Sequence, residues 1–273
     1  MGSPIVEFER GAHLISAVQL GLLDYATALK LQQKLVAARK AATIGDVLLF
    51  LEHSPVITLG RNAKQHNVLV PPEQLHNRGV ELFECDRGGD VTFHGPGQLV
   101  AYPIFDLHGF PSTERTRKTL GAIEYVRRLE EVLIRTCAAF DIPTERVKGF
   151  TGVWTQERAS KPQAKIAAIG VHISRGVTSH GFALNVNTDL NYFDLIIPCG
   201  ITSKPVTSIS HELGRAADFE QVIAAAAGHF AEVFATDLEF VSNLHDLGRK
   251  VGVPMRPPTD LQRLHKEEES YWA

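Results

Sequence analysis

A glycine-rich run at residues 87–98, RGGDVTFHGPGQ, is the feature that most limits how this chain can fold. Four glycines and a proline fall within it, and an apolar segment at residues 99–104 follows directly. Glycine lacks a Cβ atom, so the backbone can bend sharply and approach a ligand closely. The spacing matches neither the dinucleotide-binding nor the phosphate-binding glycine pattern. The run predicts either a loop that wraps backbone donors, Arg87 and His94 around something small, or an ordinary hairpin loop.

The composition indicates a globular chain with no global charge signal. Its 273 residues are near the upper end for one domain, and 44% of them are hydrophobic. A net charge of −3 gives no sign of nucleic-acid binding. No apolar run is long enough to span a bilayer, and the first ten residues lack the basic and apolar regions of a signal peptide. We therefore expect neither a nucleic-acid nor a membrane partner.

The three cysteines, Cys85, Cys137 and Cys199, are widely spaced and form no C-x-x-C pair. At least one thiol is left unpaired, so a disulfide framework or a zinc site is not indicated. The 12 histidines are scattered, with no H-E-x-x-H motif, so no metal is expected. A reducing, cytoplasmic setting fits this cysteine usage best.

The hydrophobic pattern predicts an α/β (α+β) chain with a mixed sheet. Helical spacing of apolar residues predicts helices at residues 22–39, 120–140 and 219–235. Extended segments are predicted at residues 46–59, 80–83, 91–93, 99–105, 153–154, 164–173 and 180–186. With no internal repeat or composition break, we expect one catalytic domain over residues 1–242. The polar segment at residues 243–273 is expected to be a C-terminal extension against the surface or trailing from it.

Two residues suggest covalent chemistry. Cys199 lies between Pro198 and Gly200 after an apolar run, which could project its thiol from a tight turn. A reactive cysteine needs a neighbour that favours the thiolate. Lys165, at the start of an apolar strand, could do this and could return a proton to a leaving group. The simpler alternatives are a small buried side chain for Cys199 and a strand-end lysine in water for Lys165.

A third segment, residues 174–187, predicts a hairpin with Arg175 and Gly176 at its turn. The small residues Gly181 and Ala183 on its second strand would leave room for a ligand chain.

Together these segments resemble the lipoyl(octanoyl) transferase family. The matches are residues 87–98, 165–170, 179–187 and 198–200, with weaker ones at Tyr25 and residues 53–60. Each motif alone is weak, but four in consistent order are specific. The resemblance implies the fold of the lipoate and biotin protein ligases, a mixed β-sheet with packed helices.

The resemblance also implies an acyltransferase that moves an octanoyl group from acyl carrier protein to a lysine of a lipoyl domain. Cys199 matches the acyl-accepting nucleophile, and Lys165 matches the lysine that favours its thiolate and relays protons. Phe93 stands where tyrosine is common in the family. The implied acyl-binding residues are Arg87, Gly88, Gly89, Asp90, Val91, Thr92, Phe93, His94, Ala168, Ile169, Gly170, Gly181, Phe182 and Ala183.

The implied partners are octanoyl-acyl carrier protein, the lipoyl domains of 2-oxoacid dehydrogenase E2 subunits and the glycine cleavage H protein. A thioester donor is already activated, so no cofactor is implied, and the family suggests a monomer. Because acyl carrier proteins are acidic, a basic face would aid docking. Its candidates, each of which could equally be a solvated surface charge, are Arg61, Lys64, Lys148, Arg158 and Lys161.

Three alternatives remain open. An ATP-dependent lipoate or biotin ligase would share the fold and a lysine near Lys165 but would not need Cys199. A non-catalytic acyl-binding protein would need neither residue. A thioesterase would use water in place of the acceptor lysine.

Overall fold

The computed structural model describes residues 13–114, 116–158, 161–198 and 204–250, with Lys250 described by its backbone alone. The predicted nucleophile Cys199 and residues 251–273 of the predicted extension therefore lie outside the described residues.

Strands and helices alternate irregularly along the chain. The strands are β1 (Leu14–Leu23), β2 (Asp46–His53), β3 (Val56–Leu59), β4 (Glu81–Glu84), β5 (Val91–His94), β6 (Gln98–Ile104), β7 (Thr144–Val147), β8 (Phe150–Thr155), β9 (Lys165–Ser174), β10 (Val177–Asn185) and β11 (Asp237–Phe240). The helices are α1 (Tyr25–Lys40), α2 (Pro72–Asn77), α3 (Ala122–Ala138), α4 (Ile209–Leu213), α5 (Phe219–Phe234) and α6 (Leu244–Lys250). Short 3₁₀ helices lie at Gln65–Asn67, Leu107–Gly109 and Leu190–Leu195.

Within the described residues, eight strands form a mixed sheet in the order β11-β1-β2-β6-β10-β9-β8-β7. β1 is parallel to both β11 and β2, and the remaining neighbours are antiparallel. A second sheet, β4-β3-β5, carries residues 91–94 of the glycine-rich run in its edge strand β5. The predicted mixed architecture is therefore what the chain adopts.

The central strands are buried on both faces because helices cover both. Successive side chains of a strand point to opposite faces, so neighbouring residues of β2 enter different cores. Leu48 and Phe50 join the core formed with α3 and α5, whereas Val47 and Leu49 join the core formed with α1 and α6. This two-sided burial explains why β2 and β6 read as continuous apolar runs rather than as alternating ones.

Side-chain caps define where α1 and α5, which cover opposite faces of the sheet, begin. The carboxylate of Asp24 accepts the backbone N–H of Thr27 at the start of α1. Asp218 accepts the N–H groups of Glu220 and Gln221 at the start of α5. Such caps satisfy backbone donors that the first helical turn leaves unpaired.

The predicted helices are present, with shifted ends. The first begins at Tyr25 rather than at residue 22, because Leu22 and Leu23 belong to β1, a strand that was not predicted. The strands β7 and β11 were also not predicted. The predicted turn at Arg175 and Gly176 joins β9 to β10.

The last described residues pack against the core more closely than their polar composition indicates. Residues 244–250 form α6, and Leu247 is fully buried in the core beneath α1. The domain boundary at residue 242 stays a prediction. In the described part of the chain, no helix is both long and apolar enough to cross a membrane.

Candidate active site

Two adjoining cavities lie between β5, an edge strand of the three-stranded sheet, and the hairpin β9–β10. The first, here called the lysine cavity, is lined by Thr92, Gln98, Lys165, Ala167, Ala168, Ala183, Asn185, Phe193, Pro198 and Val206. The second, here called the ring cavity, is lined by Tyr25, Arg87, Gly89, Thr92, His94, Tyr102, Ala168, Ile169, Gly170, His180, Gly181, Phe182 and Ala183. Thr92, Ala168 and Ala183 line both cavities, which therefore adjoin. The two together are called the channel, and Lys165 lies at the end that the lysine cavity forms.

Small residues in cross-strand register form one wall of the channel. Ala168 lies opposite Ala183, and Gly170 lies opposite Gly181. A Cβ atom at Gly181 would clash with the carbonyl oxygen of Ala101 in β6. The close approach of β6 therefore leaves no room for a side chain at Gly181. The small side chains of Ala168 and Ala183 keep the channel open.

Lys165 is held at the channel end by its backbone and by an aromatic ring. Its N–H donates to the carbonyl of Pro205, and its carbonyl accepts the N–H of Thr207. Its side chain is buried, with Nζ 5.2 Å from the centroid of the Trp154 ring. Lys204 places a second ammonium 5.7 Å from the same ring. An ammonium over an indole is attracted by the ring quadrupole, which favours this orientation of Lys165.

The segment that leads to Cys199 is anchored beside the lysine cavity. The N–H of Ile197 donates to the carbonyl of Asn67, and Ile196 pairs with Val68. Pro198, the residue before Cys199, lines the same cavity as Lys165. The described chain therefore brings the neighbour of Cys199 to the lysine end of the channel.

Arg87 lines the ring cavity, but its donors are used within the loop. Its Nε and Nη2 donate to the hydroxyl of Thr58, and Nη2 also donates to the carbonyls of Thr58 and Asp90. Nη1 donates to the carbonyl of Gly88. The guanidinium thus holds the glycine-rich loop in shape with neutral acceptors and contributes a buried positive charge to the cavity.

A chain of hydrogen bonds determines which nitrogen of His94 carries the proton. A carbonyl can only accept, so the amide nitrogen of Asn185 donates to the carbonyl of Thr207. The oxygen of Asn185 then accepts from Gln98 Nε2, and the oxygen of Gln98 accepts from His94 Nδ1. In a neutral imidazole this leaves a lone pair on Nε2.

Burial keeps the histidines of this region uncharged. Burial, reinforced by His53 and Arg87, holds the pKa of His94 well below its ordinary value. Burial also lowers the pKa of His53 to about 4. At neutral pH the ring cavity therefore contains neutral imidazoles and the charge of Arg87.

Two further hydrogen-bonded pairs lie at the ring-cavity end. Nδ1 of His53 donates to the carbonyl of Leu23, so Nε2 accepts the Tyr102 hydroxyl at 2.7 Å. His180 Nε2 donates to the Asp86 carboxylate, also at 2.7 Å. Tyr102 and His180 meet edge to face, with ring centroids 6.2 Å apart.

Comparison with known proteins identifies the family of the chain. Residues 24–231 match the model described as the lipoyl protein ligase A/B catalytic domain. The chain belongs to this family. An octanoyltransferase of Koribacter versatilis (strain Ellin345) is 57% identical over 256 residues, covering 93% of this chain and 98% of that protein. An octanoyltransferase of Acidobacterium capsulatum is 55% identical over 237 residues, covering 86% of this chain and 96% of that protein.

Solved structures of the lipoyl protein ligase A/B family share the fold at low identity. A bi-partite lipoate protein ligase from Thermoplasma acidophilum superposes with a TM-score of 0.65 at 15% identity, covering 88% of this chain and 91% of that chain. A lipoate-protein ligase A bound with ATP gives a TM-score of 0.61 at 14% identity, covering 88% and 93%. The predicted fold class and family resemblance are confirmed, and the chain is an acyltransferase.

The predicted acyl-binding residues of this family member fall into two groups. Those that line the channel are Arg87, Gly89, Thr92, His94, Ala168, Ile169, Gly170, Gly181, Phe182 and Ala183. In the described structure, Gly88, Asp90, Val91 and Phe93 are not among the lining residues of either cavity. Asp90 instead accepts the N–H groups of Lys64 and Val91, and Phe93 stacks on Tyr192 with centroids 4.6 Å apart.

Sequence reasoning left several channel residues out of its site. Tyr102 and His180 line the ring cavity, and Trp154 faces Lys165. Tyr102 lies within the predicted strand at residues 99–105, and His180 directly precedes Gly181 in a matching motif. Their positions in the sequence indicate that they are buried in a sheet. They do not indicate that the side chains meet in one cavity. Among the described residues, no cluster of three or more histidine, cysteine or acidic side chains could hold a metal ion.

Proposed function

We propose that this chain transfers an octanoyl group from octanoyl-acyl carrier protein to a lysine of a lipoyl domain, through a thioester on Cys199. The observation that carries the proposal is the channel, which has one wall of small residues and has Lys165 and Pro198 at one end. Relatives named octanoyltransferase, at 57% and 55% identity over most of the chain, support the acyl group.

In the first half-reaction, the Cys199 thiolate attacks the carbonyl carbon of the octanoyl thioester. A bond forms between the cysteine sulfur and the acyl carbon, and the bond to the phosphopantetheine sulfur breaks. The Lys165 ammonium gives its proton to the departing thiolate and becomes neutral. Because one thioester replaces another, the step is nearly isoenergetic and needs no nucleotide.

In the second half-reaction, the amine of the acceptor lysine attacks the acyl carbon on Cys199. A carbon–nitrogen bond forms, the bond to the Cys199 sulfur breaks, and neutral Lys165 accepts the proton that the amine loses. This step returns Lys165 to the ammonium and Cys199 to the thiolate. The exchange of a thioester for an amide is downhill, so the transfer runs toward the lipoyl domain.

The backbone hydrogen bonds near Lys165 limit which N–H groups can stabilise the oxyanion of the tetrahedral intermediate. The N–H of Lys165 donates to Pro205, and the N–H of Ala164 donates to the hydroxyl of Thr155. These two amides are therefore committed to the fold. We place the donors for the tetrahedral oxyanion on the Cys199 side of the channel.

The partners belong to the same proposal. The donor is acidic, and five candidate contact residues are exposed, although Lys161 already pairs with Glu212 at 3.3 Å. We expect the acceptors to be lipoyl domains of 2-oxoacid dehydrogenase E2 subunits and the glycine cleavage H protein. A monomeric state, a cytoplasmic location and a catalytic domain over residues 1–242 complete the proposal.

The decisive experiment is the intact mass of the protein after incubation with octanoyl-acyl carrier protein. We expect one octanoyl increment on the native chain, its absence in Cys199→Ser and its discharge by a lipoyl domain as an amide. Cys85→Ser is the matched control and keeps the increment. Activity that requires ATP and survives in Cys199→Ser would instead establish a ligase. Release of free octanoate faster than amide would establish a thioesterase.

A further inference from the structure

We propose that Tyr102 and His180 form a fixed end wall of the acyl channel and thereby set the upper limit on acyl chain length. The inference rests on the function proposed above. It assigns to these two side chains the exclusion of acyl groups that are longer than the channel.

The two rings lie at the end of the channel opposite Lys165. Both line the ring cavity and neither lines the lysine cavity. Gly170, five residues beyond Lys165 along β9, is ~16 Å away at a rise of ~3.3 Å per residue. It pairs with Gly181, the residue next to His180. An acyl chain that enters beside Lys165 therefore reaches these rings only after it has passed Ala168 and Ala183.

The channel is longer than an octanoyl group and ends at the two rings. An extended backbone advances ~3.5 Å for every three bonds, so the seven carbon–carbon bonds of an octanoyl group span ~8 Å. That is about half of the ~16 Å between Lys165 and Gly170, so about six further carbons fit between the end of an octanoyl group and the rings.

Tyr102 is anchored from behind, on the side away from the channel. Its hydroxyl donates to Nε2 of His53, whose Nδ1 donates to the carbonyl of Leu23. Tyr102 is 4% exposed and His53 is fully buried. Displacement of the Tyr102 ring would break a buried hydrogen bond and leave an acceptor unpaired, which is more costly than the rotation of an apolar side chain.

His180 is anchored by two hydrogen bonds, and its backbone conformation is constrained. Its Nε2 donates to Asp86, and its backbone N–H donates to the side-chain oxygen of Gln32 at 2.7 Å. Its φ of +55° lies in the left-handed region, which a residue other than glycine occupies only where its surroundings impose it. The ring of His180 is therefore held in place by both backbone and side chain.

A wall of hydrogen-bonded rings and an apolar wall discriminate between acyl chain lengths in different ways. Each methylene buried against apolar side chains strengthens binding, so an apolar end would favour longer chains until space ran out. A wall of anchored rings cannot yield without the loss of its hydrogen bonds. Discrimination against longer acyl groups is therefore expected to be steep.

The test compares octanoyl-, tetradecanoyl- and hexadecanoyl-acyl carrier protein as donors to the full chain, with thioester formation on Cys199 followed by mass. In Tyr102→Leu we expect the ratio of kcat/KM for hexadecanoyl over tetradecanoyl to rise about tenfold, the gain for two buried methylenes. His180→Asn, whose asparagine tolerates the left-handed backbone, should raise the ratio in the same direction. Tyr125→Phe is the control, because Tyr125 is buried in the core on the opposite face of the sheet.

The outcomes separate this inference from the proposed function. An unchanged ratio in folded Tyr102→Leu and His180→Asn overturns the end wall. If Tyr102→Leu does not fold, His180→Asn and Asp86→Asn decide the question. If the native chain takes no octanoyl group, the proposed function fails, and binding of free octanoate, tetradecanoate and hexadecanoate measured by calorimetry still tests the wall. Loss of affinity beyond tetradecanoate in the native chain, relieved in His180→Asn, would uphold it, and equal affinities would overturn it.

Discussion

At the scale of single residues, the position of Lys165 depends on a glycine in the neighbouring strand. Gly152 in β8 has φ +116°, and a Cβ atom there would lie 2.6 Å from the carbonyl oxygen of Ala167 and 2.9 Å from Cε of Lys165. Its N–H faces the buried carboxylate of Glu130 at 3.3 Å. The lysine side chain therefore occupies space that only a glycine leaves open.

Gly152→Ala is expected to impair both stability and acyl transfer. The left-handed backbone should cost ~1–3 kcal/mol, and displacement of Lys165 should slow the formation of the octanoyl thioester at least about tenfold. Urea unfolding and single-turnover mass measurements would report the two effects separately.

Gly149→Ala is the matched control for this variant. Gly149 also has a positive φ, +85°, but an added Cβ would meet nothing within 4 Å. It should lose only the ~1–3 kcal/mol of the left-handed backbone, less than Gly152→Ala, while its octanoylation rate stays at the native value. Equal rates in the two variants would show that Gly152 does not position Lys165.

At the scale of secondary structure, α1 links helix capping to the channel. The helix begins at Tyr25, which lines the ring cavity, and its first turn is held by the contact between Asp24 and the Thr27 N–H. The helix α5 has an equivalent cap at Asp218 but packs on the opposite face of the sheet. The N-cap of α1 therefore supports a helix that lines the site, whereas the N-cap of α5 supports a helix that packs only in the core.

Asp24→Ala and Asp218→Ala should each lower the free energy of unfolding by about 1 kcal/mol, the usual worth of an N-cap. Only Asp24→Ala should also slow octanoylation, because fraying of the first turn releases Tyr25 from the channel wall. Thermal or urea unfolding and the single-turnover assay distinguish the two effects. An unimpaired rate in Asp24→Ala would show that the first turn of α1 does not shape the channel.

At the scale of the whole molecule, buried neutral histidines link stability to pH. His53 has its pKa lowered by burial to about 4, and burial also lowers the pKa values of His94 and His180. Between about pH 6.5 and pH 4 the unfolded chain binds protons at these residues that the folded chain excludes. Their contribution to stability is therefore complete above about pH 6.5 and is lost as the pH falls toward 4.

The free energy of unfolding should accordingly decrease with acidification, and His53 alone should account for about 3 kcal/mol by pH 4. In His53→Phe the slope between pH 6 and pH 4.5 should be shallower than in the native chain by up to about 1.4 kcal/mol per pH unit. Urea unfolding at a series of pH values measures this slope. His76→Phe, at an exposed position, should retain the native slope, and a native slope in His53→Phe would contradict the assignment.

Local patterns were sufficient for much of the fold. The three long helices were predictable because their apolar residues recur at helical spacing, and the buried strands β2 and β6 because their apolar runs are short and bounded by turn residues. The strand β1 was not predictable, since it is partly exposed and runs directly into α1. The helix α6 was not predictable either, since its few leucines lie within a polar sequence and are buried by tertiary packing.

The sequence by itself determined the family, the glycine-rich loop, and Lys165 and Cys199 as candidates for covalent chemistry, because each depends on residue types at short spacing. Only the tertiary structure decided which side chains meet in the channel. Tyr102, His53 and His180 come from three strands, and their convergence depends on cross-strand register and on which face of the sheet each residue points to. That register is a property of long-range pairing, which no local segment of the sequence encodes.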